Sequence, residues 1–185
     1  GVADFDVAIR FPASALVPYA GMSLQAVKVF PADAGSFSIR VWTGGTTSAP
    51  ATMVVDQPFT ATIDQWNTVA LNTPVLITGT EELWFGYRCN VTTGYPAGCD
   101  AGPVVDGFGN MIYYQGAWST LTSLAPTLTY NWNIQGYAGF SQPARSAGLQ
   151  PITTEMVRVS EGMLASSGRI STENIVSREE QTRVR

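Results

Sequence analysis

The 185-residue chain has no histidine. That absence removes every arrangement in which an imidazole activates a serine or cysteine nucleophile, and with it the commonest nitrogen ligand of zinc. Cysteine is scarce, with Cys89 and Cys99 alone, and two thiolates leave a tetrahedral zinc site half empty. Charged residues make up 13% of the chain, about half the usual share of a soluble protein. The net charge of −4 gives no basic surface for displacing counterions from nucleic acid or for docking on anionic lipid. No apolar run is long enough for a membrane-spanning helix. The opening GVADFDVAIRF lacks the basic-then-apolar pattern of an export leader and already reads as a strand, so an exported protein has lost its signal.

What remains is a chain rich in neutral polar residues and glycine, 45% hydrophobic and 11% aromatic. Its length supports one domain with a sizeable core and a short appendage. Phe5–Phe11 alternates Phe5, Val7, Ile9 and Phe11 against Asp4, Asp6, Ala8 and Arg10, the period of a half-buried strand. The two prolines and glycine of PASALVPYAGM predict a crossing loop with one helical turn. Ser23–Phe30 is the next strand. In Ser36–Thr43, Phe37, Ile39 and Val41 point one way and Ser38, Arg40 and Trp42 the other. Met53–Val55, Trp66–Leu71, Val75–Ile77, Leu83–Cys89, Met111–Gln115 and Tyr130–Tyr137 complete the pattern, while Leu121–Leu128 reads either way. Short strands with turns at this spacing predict an all-β fold, a two-sheet antiparallel jelly-roll-like β-sandwich.

The composition changes after residue 138. The last 47 residues hold six of the ten basic and five of the fourteen acidic residues, leaving residues 1–138 at −5 and the tail at +1. One aromatic, Phe140, falls there. The expected division is a β-sandwich module over 1–138 and a poorly structured tail over 139–185, a linker and the start of a following region, with a lone strand at Glu155–Ser160.

The blocks FSIRVWTGG, QWNTVALNTPVLITGTEELWFGY, TGYPAGCDAGP, GNMIYYQGAW and LAPTLTYNWNIQGY resemble a β-sandwich module of secreted and cell-surface proteins of Bacteroidetes bacteria. The group is similar to the jelly-roll cleaved-adhesin domains of gingipain-type proteases. The resemblance spans about residues 5–138. It implies a non-catalytic, adhesin-like role outside the cell, secreted or on the cell surface, with a glycan or extracellular protein as partner. It transfers no binding residue.

The residues themselves supply candidates. Aromatic rings offer apolar faces to sugar C–H groups, and Trp42, Tyr95, Tyr113, Tyr114 and Trp118 stand at outward or loop positions; the competing role for each is core packing. At least two of Trp66, Trp84 and Trp132 are expected in the core. Asp100 and Asp106 flank a glycine-rich loop and carry the hard oxygens that calcium takes, although aspartates there also cap their own turns. The pairs among Asp64, Glu81, Glu82, Asp100 and Asp106 are the carboxylates open to glycoside hydrolysis, in turn positions that favour capping instead. Cys89 and Cys99 bracket the same loop and either close it as a disulfide or stand as two thiols. The alternative to a binding module is a structural spacer that docks neighbouring domains.

Overall fold

The computed structural model describes residues 3–92, 94–140 and 167–170, the last four as backbone. Nine strands lie within residues 3–140: β1 Ala3–Phe11, β2 Ser23–Val29, β3 Ser36–Gly45, β4 Pro50–Phe59, β5 Asn67–Leu76, β6 Leu83–Val91, β7 Met111–Tyr114, β8 Ala117–Thr120 and β9 Ile134–Gly139. A tenth, β10 (Ser167–Ile170), pairs with β9. Six strands form one sheet in the order β4-β3-β6-β1-β7-β8, and four form the second as β10-β9-β2-β5. Every pairing is antiparallel. This is the two-sheet all-β sandwich that the alternation predicts. Among the described residues helix is confined to the turns Ala13–Leu16, Val17–Tyr19 and Leu121–Leu124, the first two within the expected crossing loop. The strand expected at Glu155–Ser160 lies outside the described residues, as does most of the tail.

Between the sheets, Val7, Ile9 and Phe11 of β1, Phe37, Ile39 and Val41 of β3, and Phe85 and Tyr87 of β6 meet Leu24, Val27 and Val29 of β2 and Ile134 of β9. Phe11 stacks on Phe85 with centroids 5.3 Å apart. Each large side chain so enclosed contributes about 1.5–3 kcal/mol by leaving water. Cys89 also faces this core, wholly buried.

Four elements differ from the reading by pattern. β4 runs ten residues, not three, because it is the outer strand of its sheet and has no alternation to read. β5 joins the two short strands expected around Pro74. As an edge strand it pairs only with β2, and the register breaks between Leu24 and Ala26, which passes Leu71–Pro74 through an irregularity. β8, absent from the strands that the pattern predicts, is a strand of its own. The last strand begins at Ile134; Trp132 forms an isolated bridge with Cys99. Across the sandwich a side chain of the outer strand β4 occupies edge groups of β5: the Gln57 amide donates to the Ala70 carbonyl at 2.9 Å and accepts from the Asn72 N–H at 2.8 Å. Edge groups so occupied are unavailable to another chain.

The registers gather one set of strand ends. Asp4 of β1 lies opposite Asn90 of β6, Asn90 opposite Ser36 of β3, and Phe37 opposite Phe59 of β4. In the second sheet Val29 pairs with Asn67 and Ile134. Because Tyr113 lies opposite Asp6, the β7–β8 turn projects from this same end.

Gly86 faces Ala8 in the β1–β6 ladder. A Cβ on Gly86 would sit 1.8 Å from the Val7 carbonyl oxygen, so no side chain fits without parting the strands. Gly86→Ala is expected to lower unfolding free energy by about 3 kcal/mol or more, as severe overpacking does. Gly107→Ala meets nothing within 4 Å and suffers only its φ of +76°, a cost of about 1–2 kcal/mol. Urea denaturation of the two variants checks the difference.

Candidate functional site

The outer face of the six-stranded sheet carries a second, smaller core. The β1 residues that point away from the sandwich are Asp4, Asp6, Ala8 and Arg10, and alternation brings Trp84, Gly86 and Arg88 of β6 and Arg40 and Trp42 of β3 alongside them. Ala8, Trp42, Trp84 and Met111 are buried there with Trp118 packed against them. Trp118 meets Trp42 at 5.3 Å and Trp84 at 5.4 Å, both edge-on, and Tyr113 at 5.6 Å. β3 and β8 are four strand steps apart, about 19 Å at the usual spacing of about 4.8 Å. The two indoles therefore lean toward each other across the small residues Gly86 and Ala8.

Ion pairs frame this cluster. Arg40 donates to both oxygens of Asp6 at 2.8 and 2.9 Å and to Asp56 at 3.0 Å. Arg88 pairs with Asp4. Arg10 grips Glu82 through Nε at 2.9 Å and Nη2 at 2.6 Å, and lies over the Phe108 ring at 4.9 Å. The Trp84 indole donates to the same Glu82 carboxylate at 2.9 Å. Burial opposes ionisation of Glu82, yet the bonds from Arg10 and Trp84 with the Arg10 charge hold its carboxyl below the ordinary value. At Asp6 burial prevails, and the carboxyl is pushed up despite Arg40. The bond from Arg88 draws Asp4 down.

The structure brings together three of the five aromatic candidates. Tyr113 and Trp118 are cross-strand partners on the β7–β8 hairpin, and Tyr113 is 38% exposed. Trp42 does point outward as expected, but at 4% exposure it is covered by Trp118 and presents no ring to a ligand. Tyr114, 41% exposed, follows on the opposite face beside the turn. Tyr95 stands apart in the β6–β7 loop, 89% exposed. Of the other tryptophans, Trp84 and Trp132 are buried as expected of two of the three, and Trp66 is 38% exposed. Sequence reasoning left Trp66 unassigned, since its exposure depends on where Lys28 and Phe30 arrive in space.

The carboxylates of the long loop face inward to the backbone. Asp100 accepts from the N–H groups of Gly102 and Asn131, each at 2.8 Å, and from the Asn131 amide at 2.9 Å. Asp106 accepts from Asn110 at 2.8 Å and from Thr122, bonds that hold its carboxyl below the usual range. These aspartates knit the loop to α2 (Leu121–Leu124) and to the residues before β9. Among the described residues no three His, Cys, Asp or Glu side chains come close enough to hold a metal ion together. Glu82, one of the carboxylates open to hydrolysis, is the partner of Arg10. Cys89 and Cys99 are free thiols, not a disulfide. Cys89 points into the inter-sheet core, while Cys99 bridges to Trp132 in the loop.

No family model matches the chain, so its likeness to cleaved-adhesin domains stays a resemblance. No curated protein matches it either. Among solved structures, it is similar to the cysteine protease and lectin-like domains of Cwp84, a surface layer associated protein of Clostridium difficile, with a TM-score of 0.59 and 11% identity. The match covers 75% of this chain and 33% of that one, so the chain spans about a third of that structure. At this identity the likeness is one of fold.

Two outcomes follow from these contacts. The lowered Glu82 value means that its contribution to stability is present above the unfolded carboxyl value of about 4.3 and is lost as pH falls below it. Glu82→Gln is therefore expected to lower the thermal midpoint at pH 7, with the gap to wild type closing as pH drops to 3. Burial pushes the Cys89 thiol well above its ordinary value, whereas Cys99 is exposed. A thiol reagent should label Cys99 in the folded protein and reach Cys89 only after denaturation without reductant.

Proposed function

We propose that the chain is a non-catalytic, adhesin-like binding module of a secreted or surface-attached bacterial protein, and that its ligand is a glycan held against the β7–β8 hairpin. The observation that carries this reading is the exposed ring of Tyr113 beside Trp118, steadied from beneath by Trp42 and Trp84. A fixed aromatic edge with charged hydrogen-bonding groups along the next strand is the chemistry that takes a pyranose ring, C–H face to the aromatic and hydroxyls to the polar groups. Asp4, exposed and paired with Arg88, is such a neighbour on β1; Asp6 lies buried beneath Arg40. Support for a surface role comes from the fold neighbour, which belongs to a surface layer associated protein, and from the resemblance to Bacteroidetes modules.

A spacer role draws on one observation: the tail strand β10 extends the four-stranded sheet beside β9, as a docked neighbour would. The two readings separate on a panel of soluble polysaccharides and matrix proteins, titrated with calcium and again with a chelator. A glycan hit that Tyr113→Ala weakens about tenfold, a loss of about 1.4 kcal/mol, while the melting temperature stays unchanged, is the expected result. Loss of the hit on chelation would direct attention to Asp100 and Asp106. Silence of the wild type in both buffers would leave the spacer.

A further inference from the structure

A second pair of aromatic rings stands at the same end of the sandwich, away from the hairpin. The segment Phe30–Asp33 leaves β2 and crosses toward β3 with a neighbour on each side. On one side, the Ala32 N–H donates to the Pro96 carbonyl and the Gly98 N–H to the Phe30 carbonyl, both at 2.9 Å, and Pro31 bridges Ala97. The Tyr95 N–H donates to the Asp33 carboxylate at 2.6 Å. Gly94, at φ +86°, lets the backbone close on that carboxylate, since a Cβ there would lie 2.0 Å from its oxygen. Tyr95 thus projects into solvent from a base fixed by three hydrogen bonds. On the other side, the Asp64 N–H donates to the Pro31 carbonyl at 2.9 Å. Trp66 follows, set edge-on to Phe30 at 5.7 Å with the Lys28 ammonium 5.1 Å from its ring centre.

An exposed ring on a mobile loop needs no explanation. Tyr95 stands 89% exposed above an anchored backbone, and Trp66, held by Phe30 and Lys28, still keeps 38% of its surface in water; both rings are open to a partner, and Trp66 loses little conformational freedom on contact. Trp66 and Tyr95 flank one short segment, Phe30–Asp33. Two rings on either side of one segment suit successive sugar units. The local charge narrows the class further. Asp33 and Asp64 oppose Lys28 alone here, and residues 1–138 carry −5, so a sulfated or uronic-acid polymer would be repelled.

We infer that Trp66 and Tyr95 form a second contact for an uncharged polysaccharide, which spans from the Phe30–Asp33 segment to the Tyr113 hairpin. The inference rests on the glycan reading above and adds that the ligand is a neutral polymer long enough to engage both places. Linked contacts multiply affinity without new chemistry at either one.

The test uses the whole 185-residue chain and soluble galactomannan, mannan and β-glucan, with polygalacturonate as the anionic comparison. Each is titrated as polymer and as its di- or trisaccharide fragment against wild type, Trp66→Ala/Tyr95→Ala and Tyr113→Ala. The expected result is binding of at least one neutral polymer, with the double variant, still cooperatively folded, about 100-fold weaker on polymer. Its affinity for short fragments should fall far less. Polymer affinity unchanged in the double variant, with Tyr113→Ala still weakened, would overturn the second contact and leave the hairpin site standing. Preference for polygalacturonate would overturn the neutral class. Failure of the wild type on every glycan would overturn the glycan reading itself, and this inference with it.

Discussion

The nine-residue antiparallel register between β1 and β6, from Ala3 opposite Val91 to Phe11 opposite Leu83, is the constraint on which the rest of the six-stranded sheet depends. Both strands are interior to that sheet, and both of their faces are covered. A slip of one residue would turn Asp6, Arg10 and Arg88 into the inter-sheet core and expel Val7, Ile9 and Phe85. Gly86 makes the register tighter still, because the Val7 carbonyl occupies the place its side chain would take. The hairpin inherits its position from the same ladder. Tyr113 lies beside Asp6 because β7 pairs with β1, and Trp118 reaches the other tryptophans over the small residues Ala8 and Gly86, with Met111 beside them.

The outer face shows how a sheet can be covered without a third layer. Its middle is aromatic and its margins are ion pairs, each arginine facing a carboxylate. Buried pairs of this kind gain little net stability, since desolvation opposes the attraction, but removing one partner leaves a charge stranded. The opposite displacements of Asp6 and Glu82 express that balance. Asp6 lies deeper and burial outweighs Arg40, whereas Glu82 accepts from both Arg10 and Trp84 and stays ionised more readily. The pairs therefore act chiefly as braces for the rings between them.

Much of this was legible in the residues, and the exceptions share a cause. β1, β3 and β6 each bury one face against the second sheet, so period-2 alternation identified them and even the outward direction of Trp42. What alternation could not reveal was that Trp42 would be covered, because its cover comes from Trp118 on a strand far along the chain. β4 and β5 were shortened or divided because edge strands carry proline and polar residues on both faces, where burial writes no pattern. The loop aspartates showed the competing chemistries of calcium binding and turn capping, and the bonds of Asp100 to Gly102 and Asn131 depend on a contact between distant segments. Tyr95 was readable as a loop ring from its Gly-Tyr-Pro setting. Trp66 was not, since its support is Lys28 and Phe30 from another strand.

The distribution of exposed aromatics is the feature that a purely structural role explains least well. The interior rings pair among themselves, as Phe11 with Phe85 and Phe37 with Phe59 and Tyr87. Of the exposed ones, Trp66, Tyr95, Tyr113 and Tyr114 all stand at the end where β1 begins and β6 finishes, and Phe140 alone lies at the other. Stability would be served by placing such rings inside or replacing them with polar residues, because each leaves a large apolar surface in water. Trp118 has a structural reason for its place, as the cover of Trp42 and Trp84. Tyr95 has none, for its backbone is anchored and its ring touches solvent. A spacer needs no exposed ring at this end, so the four aromatics there bear directly on the choice between the two readings.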